Sequence, residues 1–151
     1  MTLSTTNFGW VVVDESAAIE FPQGLPGFEE CRRFVPLEHR AQPGLIFLQS
    51  MEQPPLCFLA LPVNSVRPDY ALEIAPDDLE LLGLPPAGRP RIGKDVVALA
   101  ILSVEEGREP SVNLLAPLVI HMETRRAVQA IRPDGGYQAR EPLAAGGLVC
   151  S

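Results

Sequence analysis

The longest apolar run of the chain is Val96-Val97-Ala98-Leu99-Ala100-Ile101-Leu102-Ser103-Val104. Its single polar residue, Ser103, lies near the end. A helix that crosses a membrane needs ~20 apolar residues, and this run has about half of them. A short apolar run of this length is typical of a buried strand. We therefore predict a buried strand over residues 96–104.

On both sides of this strand the sequence consists of short apolar or β-branched runs separated by Gly, Pro and Asp. This spacing is typical of a fold with many short strands. We predict strands near residues 9–13, 18–21, 32–37, 45–51, 57–61, 70–74, 96–104, 112–116, 118–123 and 127–131, with ends uncertain by a few residues. The predicted fold class is all-β, a small closed or partly open antiparallel β-barrel or sandwich.

One short helix is predicted over residues 76–83. Pro76, Asp77 and Asp78 are suited to a first helical turn, and Gly83 is suited to the helix end. The Pro- and Gly-rich stretch that follows, 84–93, is predicted to be an exposed loop. The 151 residues suffice for one core, so we predict a single domain over 1–142. We expect the chain to be frayed over 141–151, with a flexible tail over 143–151.

The formal net charge of the chain is −7. An acidic surface repels phosphate backbones and attracts basic proteins, so direct binding of nucleic acid is disfavoured and a basic protein partner is favoured. Residues 1–7 are polar and lack the basic and apolar segments of a signal peptide. We predict a cytoplasmic protein that does not enter the membrane.

The three cysteines, Cys31, Cys57 and Cys150, are odd in number and lack CxxC spacing. This pattern argues against a disulfide framework and against a zinc site. Cys57 lies in an apolar run and is predicted to be a small core residue, whereas Cys150 lies in the predicted tail. We expect a monomer whose apparent dimers would come from Cys150.

No HExxH, GxSxG, GxGxxG or P-loop signature is present, and we predict no cofactor. His39 and His121 have no second ligand at a short interval, so ordinary surface roles are predicted for both. Adjacent acids in exposed turns are usually solvated, but a small β-barrel enzyme that uses a carboxylate pair stays open as an alternative. The acid pairs are Glu29-Glu30, Asp77-Asp78 and Glu105-Glu106.

The sequence Gly24-Leu25-Pro26-Gly27 has the GxxG spacing with which KH domains clamp a nucleic-acid backbone. Pro26 interrupts the helix which that motif requires, and acidic residues follow where a phosphate site needs basic ones. Gly24 and Gly27 more simply provide the backbone freedom for a tight turn, with Phe28 as its packed anchor.

Several segments, in fixed order and at fixed spacing, make up a larger pattern. They are Phe21-Pro22-Gln23-Gly24-Leu25-Pro26-Gly27-Phe28-Glu29, Phe34-Val35-Pro36-Leu37, Leu48-Gln49-Ser50, Pro68-Asp69-Tyr70 and Asn113-Leu114-Leu115-Ala116-Pro117-Leu118-Val119-Ile120. Together they resemble the FliW family of flagellar assembly factors. The residues that carry the resemblance are candidate partner-binding residues: Gly24, Pro26, Gly27, Phe28, Asp69, Tyr70, Asn113 and Pro117. The chain departs from the family pattern at 61–64, where an Asn-Pro turn is common, and in a longer loop over 85–94.

The resemblance implies a protein that acts by binding and not by catalysis. It implies a chaperone that holds the C-terminal region of flagellin in the cytosol. Once flagellin has been exported, such a protein binds the translational regulator CsrA as an allosteric antagonist and relieves the repression of flagellin translation. An export chaperone that never contacts CsrA is the remaining alternative.

Overall fold

The structure, a computed structural model, describes residues 1–143 of the chain. Its strands are β1 (Thr2–Thr5), β2 (Gly9–Val12), β3 (Ile19–Glu20), β4 (Arg33–Glu38), β5 (Ile46–Ser50), β6 (Cys57–Pro62), β7 (Val96–Ser103), β8 (Ser111–Val112), β9 (Leu118–His121), β10 (Ala127–Gln129) and β11 (Glu141–Pro142). Its helices are a 3-10 turn (Glu15–Ala17), α1 (Val63–Val66) and α2 (Pro76–Leu82).

Strand β7 is the centre of the main sheet. Along one edge it pairs with β6, and along the other it pairs first with β9 and then with β8. Leu99, for example, lies between Pro62 on one neighbour and Leu118 on the other. The prediction of a buried strand is confirmed for 96–103, whereas Val104 lies beyond the strand and is 60% exposed.

Both faces of β7 are buried, because successive side chains of a strand point to opposite faces. Val97, Leu99 and Ile101 belong to a first core cluster, and the residues between them belong to a second. The first cluster is built from Ile19, Phe21, Leu25, Cys31, Phe34, Leu48, Ala60, Leu99, Leu118, Ile120 and Ala127. The second is built from Leu45, Leu61, Val63, Tyr70, Ala98, Ala100, Leu102, Val112 and Leu114.

The main sheet runs antiparallel in the order β10-β9-β7-β6-β5-β4-β3, and its two ends meet. They meet at a single parallel bridge between Glu20 and Arg126, where the Glu20 N–H donates to the Arg125 carbonyl at 2.9 Å. The Arg125 guanidinium reinforces this seam by donating to the Ala17 carbonyl at 2.8 Å. Within residues 1–143 the sheet is therefore a partly open barrel and not a closed one, and the predicted all-β class is confirmed.

The β1–β2 hairpin forms a separate two-stranded sheet against the main one. Leu3 and Val13 pack on Val35 of β4. Strand β1 was not predicted from the sequence, because its residues Thr2–Thr5 include one apolar side chain only. A strand of this kind is defined by its partner and not by its own composition.

The predicted helix over 76–83 is confirmed as α2. Pro76 occupies its first turn together with two acids, and Gly83 ends it in the left-handed conformation with φ of 78°. The four-residue α1 was not predicted. No helix among residues 1–143 has the length and apolar character that a membrane crossing would require.

The predicted strand over residues 70–74 is wrong. Its side chains do alternate, since Tyr70, Leu72 and Ile74 pack into the core while Ala71 and Glu73 are exposed. The segment carries no ladder partner among the described residues. An alternating pattern shows only that one side of the segment is buried. Here that side packs against the core although the segment is not paired with another strand.

The expectation that the chain is frayed from residue 141 is wrong over the described part. Glu141–Pro142 form β11 with β8, and the Leu143 N–H donates to the Pro110 carbonyl at 3.1 Å. The rest of the predicted tail, 144–151 with Cys150, lies outside the described residues. Cys57, predicted to be in the core, is only half-buried, whereas Cys31 is fully buried.

Tyr70 joins the extended segment to the second core cluster. Its hydroxyl donates to the Leu114 carbonyl at 2.7 Å, and its ring stacks on Tyr137 with centroids 4.3 Å apart. Arg132, itself 7% exposed, lies over the Tyr137 ring and forms an ion pair with Asp134 at 2.8 Å. Burial raises the pKa of Tyr70 to about 12.

The turn between β3 and β4, residues 21–32, is held by its own backbone. The Phe21 carbonyl accepts from Gly24 at 2.8 Å, and the Leu25 carbonyl accepts from Phe28 at 2.7 Å. Leu25 and Cys31 anchor the turn in the first core cluster. Gly24, with φ of 68°, lies so close to the next part of the turn that a Cβ would be 2.6 Å from the Glu29 backbone. At Gly27, with φ of 86°, a Cβ would meet open space.

These two glycines form a matched pair for measurement. Gly27→Ala should cost about 1–2 kcal/mol of unfolding free energy, since only the left-handed backbone is penalised. Gly24→Ala should cost about 1–3 kcal/mol more, because the backbone of Glu29 must also move. Urea unfolding of both variants measures the difference. Equal losses would show that Gly24 is not closely packed in solution.

Substitution of Tyr70 should act on folding. Tyr70→Ala should cost about 3–5 kcal/mol through lost packing, and Tyr70→Phe about 1–3 kcal/mol because the buried Leu114 carbonyl loses its donor. Thermal and urea melts measure both. Unchanged melting would show that the ring is not part of the core.

The raised pKa of Tyr70 also predicts a pH dependence. Because the folded pKa exceeds the ordinary value near 10, the stability it reflects is present below pH 10 and is lost as the pH rises toward 12. Tyr70→Phe should abolish this part of the alkaline loss. The free energy of unfolding of the wild type minus that of the variant, measured from pH 8 to 11.5, isolates the contribution of the Tyr70 hydroxyl. A difference that is constant over this range would contradict the burial of the hydroxyl.

Candidate functional site

A cleft of about 300 Å³ opens beside the seam of the barrel. Its walls are the turn over residues 22–29, helix α2 and strand β10. The cleft is lined by Pro22, Gln23, Gly24, Pro26, Glu29, Asp78, Leu81, Ala127, Val128 and Gln129.

Each wall has a local cause. The turn projects because positive φ angles at Gly24 and Gly27 reverse the chain twice within four residues. Helix α2 is held against the sheet by Leu79 and Leu82, which are buried on its inner face. This packing leaves Asp78 and Leu81 on the side that lines the cleft. Strand β10 forms the floor, as the last strand of the main sheet.

Two carboxylates give the cleft its charge. The Gly27 N–H donates to Glu29 Oε2 at 3.0 Å, and backbone hydrogen bonding lowers the pKa of this exposed carboxyl. Burial, and then the charge of Asp77, raise the pKa of Asp78. Glu29 is thus held in its charged form on the rim, whereas Asp78 is the more weakly acidic of the two.

A second surface is apolar and lies on the β1–β2 hairpin. Trp10 is 75% exposed and Val12 is 85% exposed. They alternate with Val11 and Val13, which face the main sheet, so both project from the outer face of β2. We call Trp10 and Val12 the outer hairpin face. Trp10 and Val12 are neighbours on one strand face and so form a contiguous apolar patch, and contiguous patches are the exposed apolar surfaces that mark partner-binding sites.

The early group of predicted site residues lies at the cleft or next to it. Gly24 and Pro26 line it, whereas Gly27 and Phe28 lie on the outward part of the same turn. Phe28 is 40% exposed and packs edge-on against Phe58, with ring centroids 5.4 Å apart. Its predicted role as the anchor of the turn is only partly right, because Leu25 is the buried anchor.

The later group of predicted site residues lies mostly in buried or half-buried positions. Tyr70 is bonded to Leu114 as described above. The Asn113 Oδ1 accepts from the Ala116 N–H at 2.9 Å and so closes a turn, and Pro117 is fully buried. Only Asp69 presents its side chain to solvent, 86% exposed and 3.9 Å from the Arg67 guanidinium.

Both histidines close turns through Nδ1. His39 accepts from the Ala41 N–H at 3.0 Å, and His121 accepts from the Glu123 N–H at 3.1 Å. These are the ordinary roles that the sequence predicts. Over residues 1–143, no three His, Cys, Asp or Glu side chains come together in a group that could hold a metal ion.

The sequence did not identify Trp10, Val12 or Gln129 as site residues, and it offered Asp78 only as a member of the acid pair Asp77-Asp78. A signal for the first two was present, since a strand over 9–13 with period two places Trp10 and Val12 on one face. No local signal could have identified the cleft. It is formed by residues some 50 positions apart in sequence, which only the meeting of the sheet ends brings together.

Comparison with known proteins agrees with this architecture. The family model described as FliW protein matches residues 2–143. A flagellar assembly factor FliW from Syntrophotalea carbinolica is 33% identical over 144 residues, with 93% of this chain and 96% of that protein covered. One from Bacillus licheniformis is 32% identical over 151 residues, with 99% and 100% covered.

A solved structure shows the same similarity in three dimensions. The crystal structure of a flagellar assembly factor FliW superposes with a TM-score of 0.82 at 30% identity. It covers 96% of this chain and 98% of its own. The family-model match over residues 2–143 includes the hairpin, the main sheet and β11. On this sequence and structural evidence, the chain belongs to the FliW family.

Proposed function

We propose that this protein is a flagellar assembly factor of the cytoplasm that binds flagellin as a chaperone and binds CsrA as its antagonist. The observation that carries the proposal is the family match over residues 2–143, together with relatives named for flagellar assembly. We further propose that the protein acts as a monomer with one domain over 1–142.

The outer hairpin face supports the flagellin part of the proposal. The ends of flagellin are amphipathic segments that stay unpacked until assembly, so a chaperone has to cover an apolar stripe. Trp10 and Val12 supply an exposed apolar surface, held rigidly by the packing of Leu3 and Val13 beneath it. A tryptophan in such a position is typical of an energetically important contact.

The charge of the chain supports the CsrA part. With a net charge of −7, the protein attracts a basic RNA-binding partner. Once bound to it, the same charge repels incoming phosphates without covering the RNA site. Salt should weaken this effect, since exposed charges are screened beyond about 10 Å at 0.1 M ionic strength.

The enzymatic alternative would require the cleft carboxylates to act as an acid–base pair. Their pKa values do shift in opposite directions, as such a pair requires. Glu29, however, is solvent-exposed and is held by a turn hydrogen bond. A binding role therefore explains both residues with fewer assumptions. The chaperone-only alternative differs from the proposal in CsrA binding alone.

Flagellin binding should depend on the outer hairpin face and on the C-terminal region of flagellin. Trp10→Ser and Val12→Ser should each weaken binding about tenfold or more, as truncation of a central apolar contact does. Val104→Ser, at an exposed valine outside this face, should leave it unchanged. Calorimetry with full-length flagellin, and with flagellin that lacks its last helix, provides the measurement. Equal binding of the two flagellin forms would remove the C-terminal site from the proposal.

Flagellin and CsrA should exclude each other. If flagellin lowers the affinity of the protein for CsrA by a given factor, linkage requires CsrA to lower its affinity for flagellin by the same factor. Flagellin added to a preformed CsrA complex should release CsrA and restore its binding to flagellin mRNA. Size-exclusion chromatography of the three-protein mixture detects this release. A stable ternary peak would show that the two sites are independent.

A further inference from the structure

The outward edge of β10 has backbone groups without a strand partner. The Arg126 carbonyl accepts from the His121 N–H at 2.8 Å, and the Ala130 N–H donates to the Pro117 carbonyl at 2.9 Å. Residues in an antiparallel pair alternate between those bonded to the partner and those directed away from it. Residues 126, 128 and 130 therefore bond to β9, and the backbones of Ala127 and Gln129 are directed to the opposite side.

That opposite side is covered at one end only. Next to Ala127, the bridge between Glu20 and Arg126 joins β10 to the other end of the sheet. Beyond the bridge the chain leaves β3 for the turn over 21–32, and the two ends of the sheet separate. Among residues 1–143, no backbone hydrogen bond outside the strand ladders involves Gln129. An unpaired edge of this kind is a template for an added strand.

The free edge of β10 favours an extended occupant. An extended segment can bond to the backbone of β10 at the floor of the cleft, whereas the backbone groups of a helix are already paired within the helix. Pro22, Pro26 and Leu81 supply apolar walls for the side chains of the extended segment.

The charge of the cleft favours a basic occupant. Glu29 and Asp78 lie on facing walls, and Asp77 is adjacent to the second. The Arg126 guanidinium lies beside Gly83, at the opposite end of α2 from Asp78. A lysine or arginine of an incoming segment would meet two carboxylates, with two strong charge-assisted hydrogen bonds available.

We propose that this cleft binds an extended segment of the basic RNA-binding partner, which adds as a strand to the free edge of β10 and places a basic side chain between Glu29 and Asp78. This inference rests on the proposed function for the identity of the partner. It goes beyond that function by assigning the site and the conformation of the bound segment. The GxxG turn, first considered as a phosphate clamp, is thereby assigned as one wall of a peptide-binding cleft.

The charge contribution is tested with two double variants of the full chain. Glu29→Gln with Asp78→Asn removes the cleft charges, whereas Glu106→Gln with Glu109→Gln removes two exposed charges from another loop. Both variants change the net charge equally, from −7 to −5, since each replaces two acids by amides. At low salt, calorimetry with purified CsrA should show about tenfold weaker binding for the cleft variant than for the wild type, and unchanged binding for the loop variant. The difference in affinity between the two variants should shrink at high salt.

The edge contribution is tested at Gln129. Its side chain donates to the Ala116 carbonyl at 3.1 Å, so Gln129→Ala removes that bond and keeps the backbone N–H. Gln129→Pro removes the backbone N–H as well. CsrA should bind Gln129→Pro at least about tenfold more weakly than Gln129→Ala. Thermal melts show whether Gln129→Pro loses CsrA binding because it unfolds. If it does unfold, the double variant at Glu29 and Asp78 decides whether the cleft binds CsrA.

The failures of this inference and of the proposed function can be told apart. If the wild-type protein binds CsrA and the cleft variant binds it as tightly as the control variant, the cleft assignment is wrong while the proposed function stands. If the cleft variants lose flagellin and retain CsrA, the cleft belongs to the other partner and the inference is wrong. If the wild-type protein does not bind CsrA at all, the CsrA part of the proposed function fails, and the inference fails with it.

Discussion

The pairing of β7 along both of its edges, with β6 on one side and with β9 and β8 on the other, is the constraint on which the rest of this fold depends. A strand that is bonded along both edges and covered on both faces has no position for a charged side chain before its end, so it must be apolar throughout. Each leucine buried in this way contributes roughly 1.5–3 kcal/mol. Because β7 connects both core clusters, the hairpins on either side of it take their register from it.

The same arrangement leaves a weakness at the opposite side of the barrel. The sheet ends, β3 and β10, meet at one bridge, and the bonds made by Arg125 hold them there. Arg125 is the only non-glycine residue with positive φ among the described residues, and its conformation directs its carbonyl to Glu20. A seam closed at one point leaves both a free strand edge and a cleft beside it. The position of the candidate site thus follows from the way in which the barrel fails to close.

The sequence predicts the parts of the fold that local patterns determine. The apolar run at β7 and the Pro and Gly boundaries of α2 are both confirmed, because each depends on residues within one segment. Pairing is not local. Residues 70–74 alternate like a strand and pair with no strand among residues 1–143, whereas Thr2–Thr5 look unlike a strand and pair with β2.

Buried polar groups were equally hard to foresee. Gln49, in β5, is fully buried, and its amide donates to the Pro54 and Leu56 carbonyls at 3.0 and 3.2 Å. It holds the turn between two strands, a role that its residue type alone does not indicate. The candidate site is less predictable still. The turn residues Gly24 and Pro26 were identified through their resemblance to a family, but Asp78 and Gln129 reach the same cleft from distant segments.

A protein that acts by binding needs a rigid body and exposed apolar, charged or hydrogen-bonding groups that are free to contact a partner. Here the core clusters supply the rigid body, and the outer hairpin face and the open seam supply two surfaces of different chemistry, one apolar and one acidic. In the proposed function, two partners of different character use one small domain. Hydrogen–deuterium exchange of the full chain, alone and with CsrA, tests whether the seam of the barrel is a binding site. We predict that CsrA slows exchange at Gln129 and in the turn over 22–29, while β7 exchanges slowly in both states. Slowed exchange elsewhere, with the amides of the cleft unchanged, would contradict the claim.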